Sequence, residues 1–322
     1  MEYKDIIWNF MRDTEWMERC FKGFPPLIVT VATTGGIFGA ENNPNLPETP
    51  EKQAEETYKA YKAGASIVHV HARDAANGYA TVSSKTEDYY KTNKLIREAC
   101  PDIIINNTTG GGVGMTAEQR VSSVSANPEL ASLNCGPVVF KATLKKREAP
   151  LTGRDKAMDV DYIMTVNFGE TEFFAKTMKE HNVKPELEIY NSGQFWLANN
   201  LIDKGLIDPP YIFQYVMGMT SGSYPTPMAL IDMIRGTPDN AIFEVIGAGP
   251  YQPAITTMSI IMGGHVRVGL EDNLYYKRGE LATNATLVER VVRIAHELGR
   301  EVATPAQARK MLRISEQPSQ YP

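Results

Sequence analysis

From Leu27 onward the chain alternates between short β-branched runs and helical or longer connecting stretches, and this alternation restricts its fold more than any other feature. The strand-like runs fall at 27–33, 66–72, 103–109, 131–135, 186–190, 211–219, 241–247 and 265–270. Between them lie stretches such as "TPEKQAEETYKAYKAG", with proline near its start and Gly64 placed as a stop. "TEDYYKTNKLIREAC", "GETEFFAKTMKEHN" and "NATLVERVVRIAHELG" read the same way. Strands separated by helices form a parallel sheet, and a set of eight predicts a closed (β/α)8 barrel. The open doubly wound sheet is the alternative, but it normally carries a GxGxxG turn after its first strand, and none stands here. Without a low-complexity linker or internal repeat, residues 27–322 read as one barrel domain including its C-terminal helix. Residues 1–26 read as an extension: Ile6, Ile7, Phe10, Met11, Met17 and Phe21 recur at helical spacing, predicting an amphipathic helix packed under the barrel or against a neighbouring subunit.

Composition narrows the function classes. The 322 residues are 43% hydrophobic, with 33 Lys and Arg against 38 Asp and Glu, a net charge of −5. No block of like charge stands out, which argues against a nucleic-acid partner. Cys20, Cys100 and Cys135 have no paired spacing, which fits a reducing cytoplasm and argues against a disulfide framework or a thiolate zinc site. No apolar run approaches the roughly 20 residues of a membrane span, and charges interrupt the N-terminus too often for a signal peptide.

A barrel places catalytic groups at the C-terminal ends of its strands. The second strand ends in "SIVHVHARD", where alternation puts His69 and His71 on one face, roughly 7 Å apart along the chain. Two imidazoles on one face either hold a divalent metal or make hydrogen bonds within the barrel. A metal needs a third ligand. His181 and His296 fall in helical patterns and His265 begins the eighth strand, at the wrong end; Glu271, just past "HVRVGL", is the candidate. A His2Glu set leaves positions open for substrate oxygens, as a catalytic metal requires. Asp272 is a candidate base, provided burial raises its basicity. Arg267 shares its strand phase with Gly269 and carries a guanidinium able to pair with Asp272 or a substrate carboxylate; a structural rim ion pair is the plainer reading. "NNTTGGGVG" after the third strand offers amides and hydroxyls to an anion at the head of a helix, or is a tight turn that needs glycine. It lacks the lysine of a nucleotide-binding loop. Ser132 and Asn134 lie on the fourth strand.

Taken together, "LIVTVATTGG", "NPNLPETPEKQAEE", "AGASIVHVHARD", "IIINNTTGGG", "NPELASLNCG", "PELEIYNSG", "GGHVRVGLEDN" and "LATPAQAR" resemble the β-keto acid cleavage enzymes, typified by 3-keto-5-aminohexanoate cleavage enzyme. The resemblance runs from Leu27 to about Leu312. It implies a (β/α)8 barrel, a homotetramer, and one zinc per subunit held by His69, His71 and Glu271. It also implies substrate contacts at Thr108, Gly111 and Ser132, and proton removal assisted by Arg267 and Asp272. The reaction it implies joins a β-keto acid to acetyl-CoA and yields acetoacetate and a new acyl-CoA.

One position departs from the resemblance. Family members acting on the aminated keto acid carry an acidic residue shortly after the first strand, where this sequence has Ile37; Glu41 is near but needs a shifted loop. An apolar side chain cannot pair with an ammonium group, so a neutral or apolar substrate tail is expected. Two other readings compete. A metal-dependent amidohydrolase also uses HxH at a barrel strand end, but needs further histidines on strands five and six, and "ELEIY" and "YIFQYVMGM" have none. A catalytically silent metal-binding barrel has no reason to keep Arg267, Glu271 and Asp272 together.

Overall fold

The computed structural model describes residues 6–322. In chain order its strands are β1 (Val29–Ala32), β2 (Ile67–Val70), β3 (Ile104–Asn107), β4 (Leu130–Asn134), β5 (Val138–Leu144) and β6 (Met158–Met164). They continue with β7 (Lys184–Ile189), β8 (Tyr211–Met217), β9 (Ala241–Gly247), β10 (His265–Val268), β11 (Tyr275–Lys277) and β12 (Glu280–Leu281). Eight of these close into a parallel barrel in the order β1-β10-β9-β8-β7-β4-β3-β2, each matching one of the expected runs. The (β/α)8 architecture expected from the alternation is therefore the fold. The first three strands are shorter than the expected runs, because hydrogen-bonded pairing stops where the side chains turn into the rim loops.

The barrel interior is layered. Ile28, Ile67, Ile104, Leu130, Ile212 and Ile242 form an apolar bottom layer, closed from below by Met311 and Leu312 of the C-terminal helix Pro305–Leu312. Two residues further along the strands, the inward positions turn polar: Thr30, His69, Asn106, Ser132, Glu186, Gln214, Glu244 and Arg267 are all buried. The outward positions are apolar and pack on the helices, as when Val68, Val70 and Ile105 meet Tyr89 and Ile96 of the helix Thr86–Ala99. An apolar bottom and a polar upper interior point the chemistry at the strand C-termini.

The N-terminal extension is helical, as expected, but over a shorter span than the spacing suggested; residues 1–5 lie outside the described residues. Its helix runs from Asp13 to Lys22, where Met17 is 65% and Phe21 92% exposed. Ile6, Trp8 and Phe10, which precede it, are buried beneath the barrel, with Phe10 edge-on to Phe243 at 4.7 Å. The helical spacing therefore ran together a packed segment and a helix none of whose residues is buried. The long connection after the fourth strand contains the antiparallel hairpin β5–β6. Its signal was period-2 alternation in "VVFKATL" and "MDVDYIM".

Candidate active site

His69 is on β2 and His71 lies one residue past it; both are buried and their ring centroids are 5.2 Å apart. Glu271 comes from the turn after β10. Its amide donates to the Ala32 carbonyl at 3.1 Å, which brings the end of β10 back over β1. That closeness requires two glycines. Gly269 has φ +142°, and a Cβ there would lie 2.1 Å from the Ala32 oxygen. Gly35 has φ +67°, and its Cβ would meet Glu271 Cγ at 2.6 Å.

The Glu271 carboxylate then stands 3.3 Å from His71 Nε2 and 3.9 Å from His69 Nε2. One ligand atom from each of the three residues lies within 4.8 Å of the others. His69 Nδ1, His71 Nδ1 and Glu271 Oε2 are buried with no hydrogen-bond partner among the described residues. An unpartnered buried carboxylate oxygen beside two imidazoles is costly, and a cation bound there would relieve that cost. Burial, reinforced by the Arg267 cation, holds His69 well below the usual imidazole range and therefore neutral, the state a metal ligand needs. Burial is the largest single influence and opposes ionisation of Glu271, but the Arg267 guanidinium and the two imidazoles together outweigh it and hold the carboxyl well below its ordinary range. The donor set fits a divalent ion.

Arg267 binds Asp272 in a fork, Nε to Oδ2 at 3.0 Å and Nη2 to Oδ1 at 2.9 Å, and reaches Glu271 Oε1 at 2.5 Å. Burial nevertheless pushes Asp272 up to about 7, which gives it the basicity the sequence analysis required.

Thr108 and Gly111 line the same cavity. The Thr108 hydroxyl accepts from the Gly110 amide at 2.9 Å, and Gly111 has φ +66°, so the run is a glycine-dependent turn. It does not head a helix directly: the next one, Ala117–Val121, is capped by Thr116. Ser132 belongs to the same inward polar tier as His69 but does not line the cavity; its hydroxyl accepts from the Thr109 amide at 3.3 Å. Of the sequence candidates, the structure brings His69, His71, Glu271, Arg267, Asp272, Thr108 and Gly111 to one cavity and leaves Ser132 outside its lining. Ile37 is also on that cavity. Glu41 is not free to serve it, since it pairs with Arg147 at 3.0 Å and with Arg154.

Sequence reasoning missed Glu188, Tyr190 and Arg120. The Glu188 carboxylate accepts from Tyr190 Oη at 3.0 Å and from Asn134, and burial raises its pKa. Its signal was Glu186 and Glu188 alternating on a buried strand, the same pattern that singled out the histidines. Arg120 donates to the Thr109 carbonyl at 2.9 Å and the Thr165 carbonyl at 3.3 Å, tying the glycine turn to the base of the β5–β6 hairpin. The whole cavity has a volume of about 1320 Å³, with a polar floor and largely apolar walls.

This geometry agrees with comparisons to known proteins. The family model for the beta-keto acid cleavage enzyme matches residues 26–314. The chain is 40% identical over 290 residues to the 3-keto-5-aminohexanoate cleavage enzyme of Acetoanaerobium sticklandii, covering 90% of this chain and 98% of that one. It is 33% identical to the 3-oxoadipate:acetyl-CoA acetyltransferase of Cupriavidus necator, covering 89% and 94%. It is 30% identical to the 3-dehydrocarnitine:acetyl-CoA trimethylamine transferase of Rhizobium meliloti, covering 90% and 97%. Among solved structures, the binary complex of ObcA with oxaloacetate superposes with a TM-score of 0.66 at 20% identity, covering 84% of this chain and 68% of that one, a likeness of fold. With a family match over most of its length and relatives of this identity, the chain belongs to the β-keto acid cleavage enzyme family.

Proposed function

We propose that this chain is a zinc-dependent enzyme that condenses a β-keto acid with acetyl-CoA and releases acetoacetate and a new acyl-CoA. The observation that carries the reading is the convergence of His69, His71 and Glu271 with the Arg267–Asp272 fork on one cavity floor. His69, His71 and Glu271 would hold the ion. When bound, zinc supplies Lewis acidity toward the keto oxygen and carboxylate of the substrate.

The chain's own groups do the rest. Asp272, basic because it is buried, takes the proton from the carbon between the keto and carboxyl groups. Arg267 keeps that carboxylate oriented and sets a fixed positive charge beside the oxyanions as they form, the arrangement that lowers such barriers most. Thr108 and the turn at Gly111 bound the site for the substrate carboxylate, and Ser132 holds that turn in place through Thr109. In balance, the deprotonated carbon attacks the acetyl carbonyl and CoA thiolate leaves. The thiolate then attacks the substrate's own keto carbon, the bond to the new acetoacetyl unit breaks, and the released carbanion takes up a proton.

Relatives are named for substrates with different tails. Here Ile37 faces the cavity and Glu41 is held by two arginines, so no carboxylate is offered to an ammonium group at this position. The substrate tail is therefore read as neutral or apolar. The setting is read as cytoplasmic, with three unpaired cysteines, and the assembly as a homotetramer. No helix among the described residues is long and apolar enough to cross a membrane.

Purified protein given acetyl-CoA and a panel of β-keto acids tests the reading. Acetoacetate formed only when both are present supports it. Hydrolysis without acetyl-CoA would indicate a hydrolase, and no turnover of any substrate would indicate a silent barrel.

A further inference from the structure

The β5–β6 hairpin is an amphipathic ribbon between β4 and β7. On one face stand Phe140, Ala142, Leu144, Val160, Tyr162 and Met164, all lining the cavity. The other face carries exposed Thr143, Asp159 and Asp161, while Lys141, registered opposite Asp161, also reaches the edge of the cavity. An apolar ribbon face bordering an open cavity leaves a cost in water that a bound apolar group removes.

The ribbon is also held rigidly. Beyond its tip, Arg147 forks onto Glu48 with two contacts of 2.7 Å and reaches the Gly78 carbonyl at 3.3 Å, its side chain only 1% exposed. This anchors the hairpin to the loops after β1 and β2, the side of the mouth that carries Ile37 and His71. At its base, the Val139 amide donates to Ser221 Oγ at 2.9 Å, and Arg120 binds the Thr165 carbonyl. Arg73 fixes the loop bearing Ile37 by donating to the Gly35 carbonyl at 2.6 Å. On the β10 side, the β11–β12 hairpin puts Lys277 and Arg278 on the cavity instead. The mouth therefore has an apolar side and a cationic side, and a polyanionic co-substrate suits the second.

We infer that the cavity-facing side of the β5–β6 hairpin, together with Ile37, is the subsite for an extended alkyl or aryl tail on the keto acid, and that Phe140 and Leu144 determine chain-length preference. This rests on the proposed function and adds to it the class of tail and the residues that select it.

The test uses the zinc-loaded enzyme with straight-chain β-keto acids of increasing length at saturating acetyl-CoA, and calorimetric binding of the corresponding uncleavable 3-hydroxy acids. Each added methylene is expected to raise kcat/KM and affinity about fourfold, the equivalent of roughly 0.8 kcal/mol for a buried CH2, until the wall is covered. Phe140→Asn and Leu144→Asn are expected to flatten both series and leave the KM for acetyl-CoA unchanged. Flat series in the unmodified enzyme would overturn the inference, and so would variants that raise the acetyl-CoA KM while keeping the slope, which would assign the wall to the CoA arm. If no keto acid turns over, the proposed function fails; affinity that still climbs with length then keeps the subsite, and flat affinity removes it.

Discussion

The floor of the cavity and its hairpin wall are built by opposite means. The floor gathers residues from positions as far apart as His69 and Asp272, at the ends of the two barrel strands β2 and β10, and joins them by buried hydrogen bonds and charge. The wall is one local excursion from residue 138 to 164, mainly apolar on its inner side, fixed at its tip by ion pairs and at its base by hydrogen bonds. A floor of this kind tolerates little change, because each charged group there is balanced by another. A wall of this kind changes one side chain at a time. On this account the reaction is set by the barrel and the choice of substrate by the excursion, so substitutions in the two regions are expected to fail differently.

The largest effect is expected at the metal ligands. Glu271→Gln removes the charged ligand, and activity is expected to fall by several kcal/mol of barrier, beyond about 1000-fold, with the bound zinc lost. Elemental analysis alongside kinetics checks this, and full metal content with full activity would refute the ligand assignment. Next comes Arg267→Met, which leaves Asp272 and Glu271 without their shared cation. A fall in kcat of about 100- to 1000-fold is expected, with the zinc retained; loss of zinc instead would make Arg267 part of the metal site's support only.

On the wall, the effect should be one of preference. Ile37→Glu is expected to shift the ratio of kcat/KM for an aminated keto acid over its plain counterpart by about 10- to 100-fold, as a charge-assisted contact of about 1.5–3 kcal/mol implies. Comparable turnover of the two substrates by the unmodified enzyme would already count against the tail assignment. The smallest effect lies below the site. Burial raises the carboxyls of Glu186 and Glu244 above their ordinary value of 4.5, while Asn106 and Gln214 donate to them. A raised folded-state pKa means that the folded protein keeps a proton the unfolded chain has released, so stability is lost as pH rises above 4.5 toward the raised value. Glu244→Gln removes one such group and should make the loss of stability with rising pH shallower. Parallel melting curves for the two proteins would show that the pair does not titrate this way.

The same contrast explains what the sequence disclosed. The eight barrel strands were readable because short β-rich runs alternate with helical or long connections, and His69, His71, Arg267 and Glu271 because strand alternation and barrel geometry put them on one rim. Glu188 followed the same rule and was overlooked among the charged residues of "ELEIY". The hairpin was harder, since Val139 and Ile163 blur the alternation of its outer face, and its partner contacts at Glu41 and Glu48 come from about 100 residues away. The N-terminal helix was legible but its packing was not, because Met17 and Phe21 keep a helical spacing while facing outward, whereas Trp8 and Phe10 do the packing. Ser132 faces inward as the alternation implied, and its hydroxyl is taken up by the Thr109 amide.

The most direct test follows the acetyl group. Enzyme given acetyl-CoA labelled with carbon-13 in both acetyl carbons and an unlabelled β-keto acid should place both labels in the carbonyl and methyl carbons of acetoacetate and none in the new acyl-CoA. Label remaining in a CoA thioester while the keto acid is consumed would contradict the account.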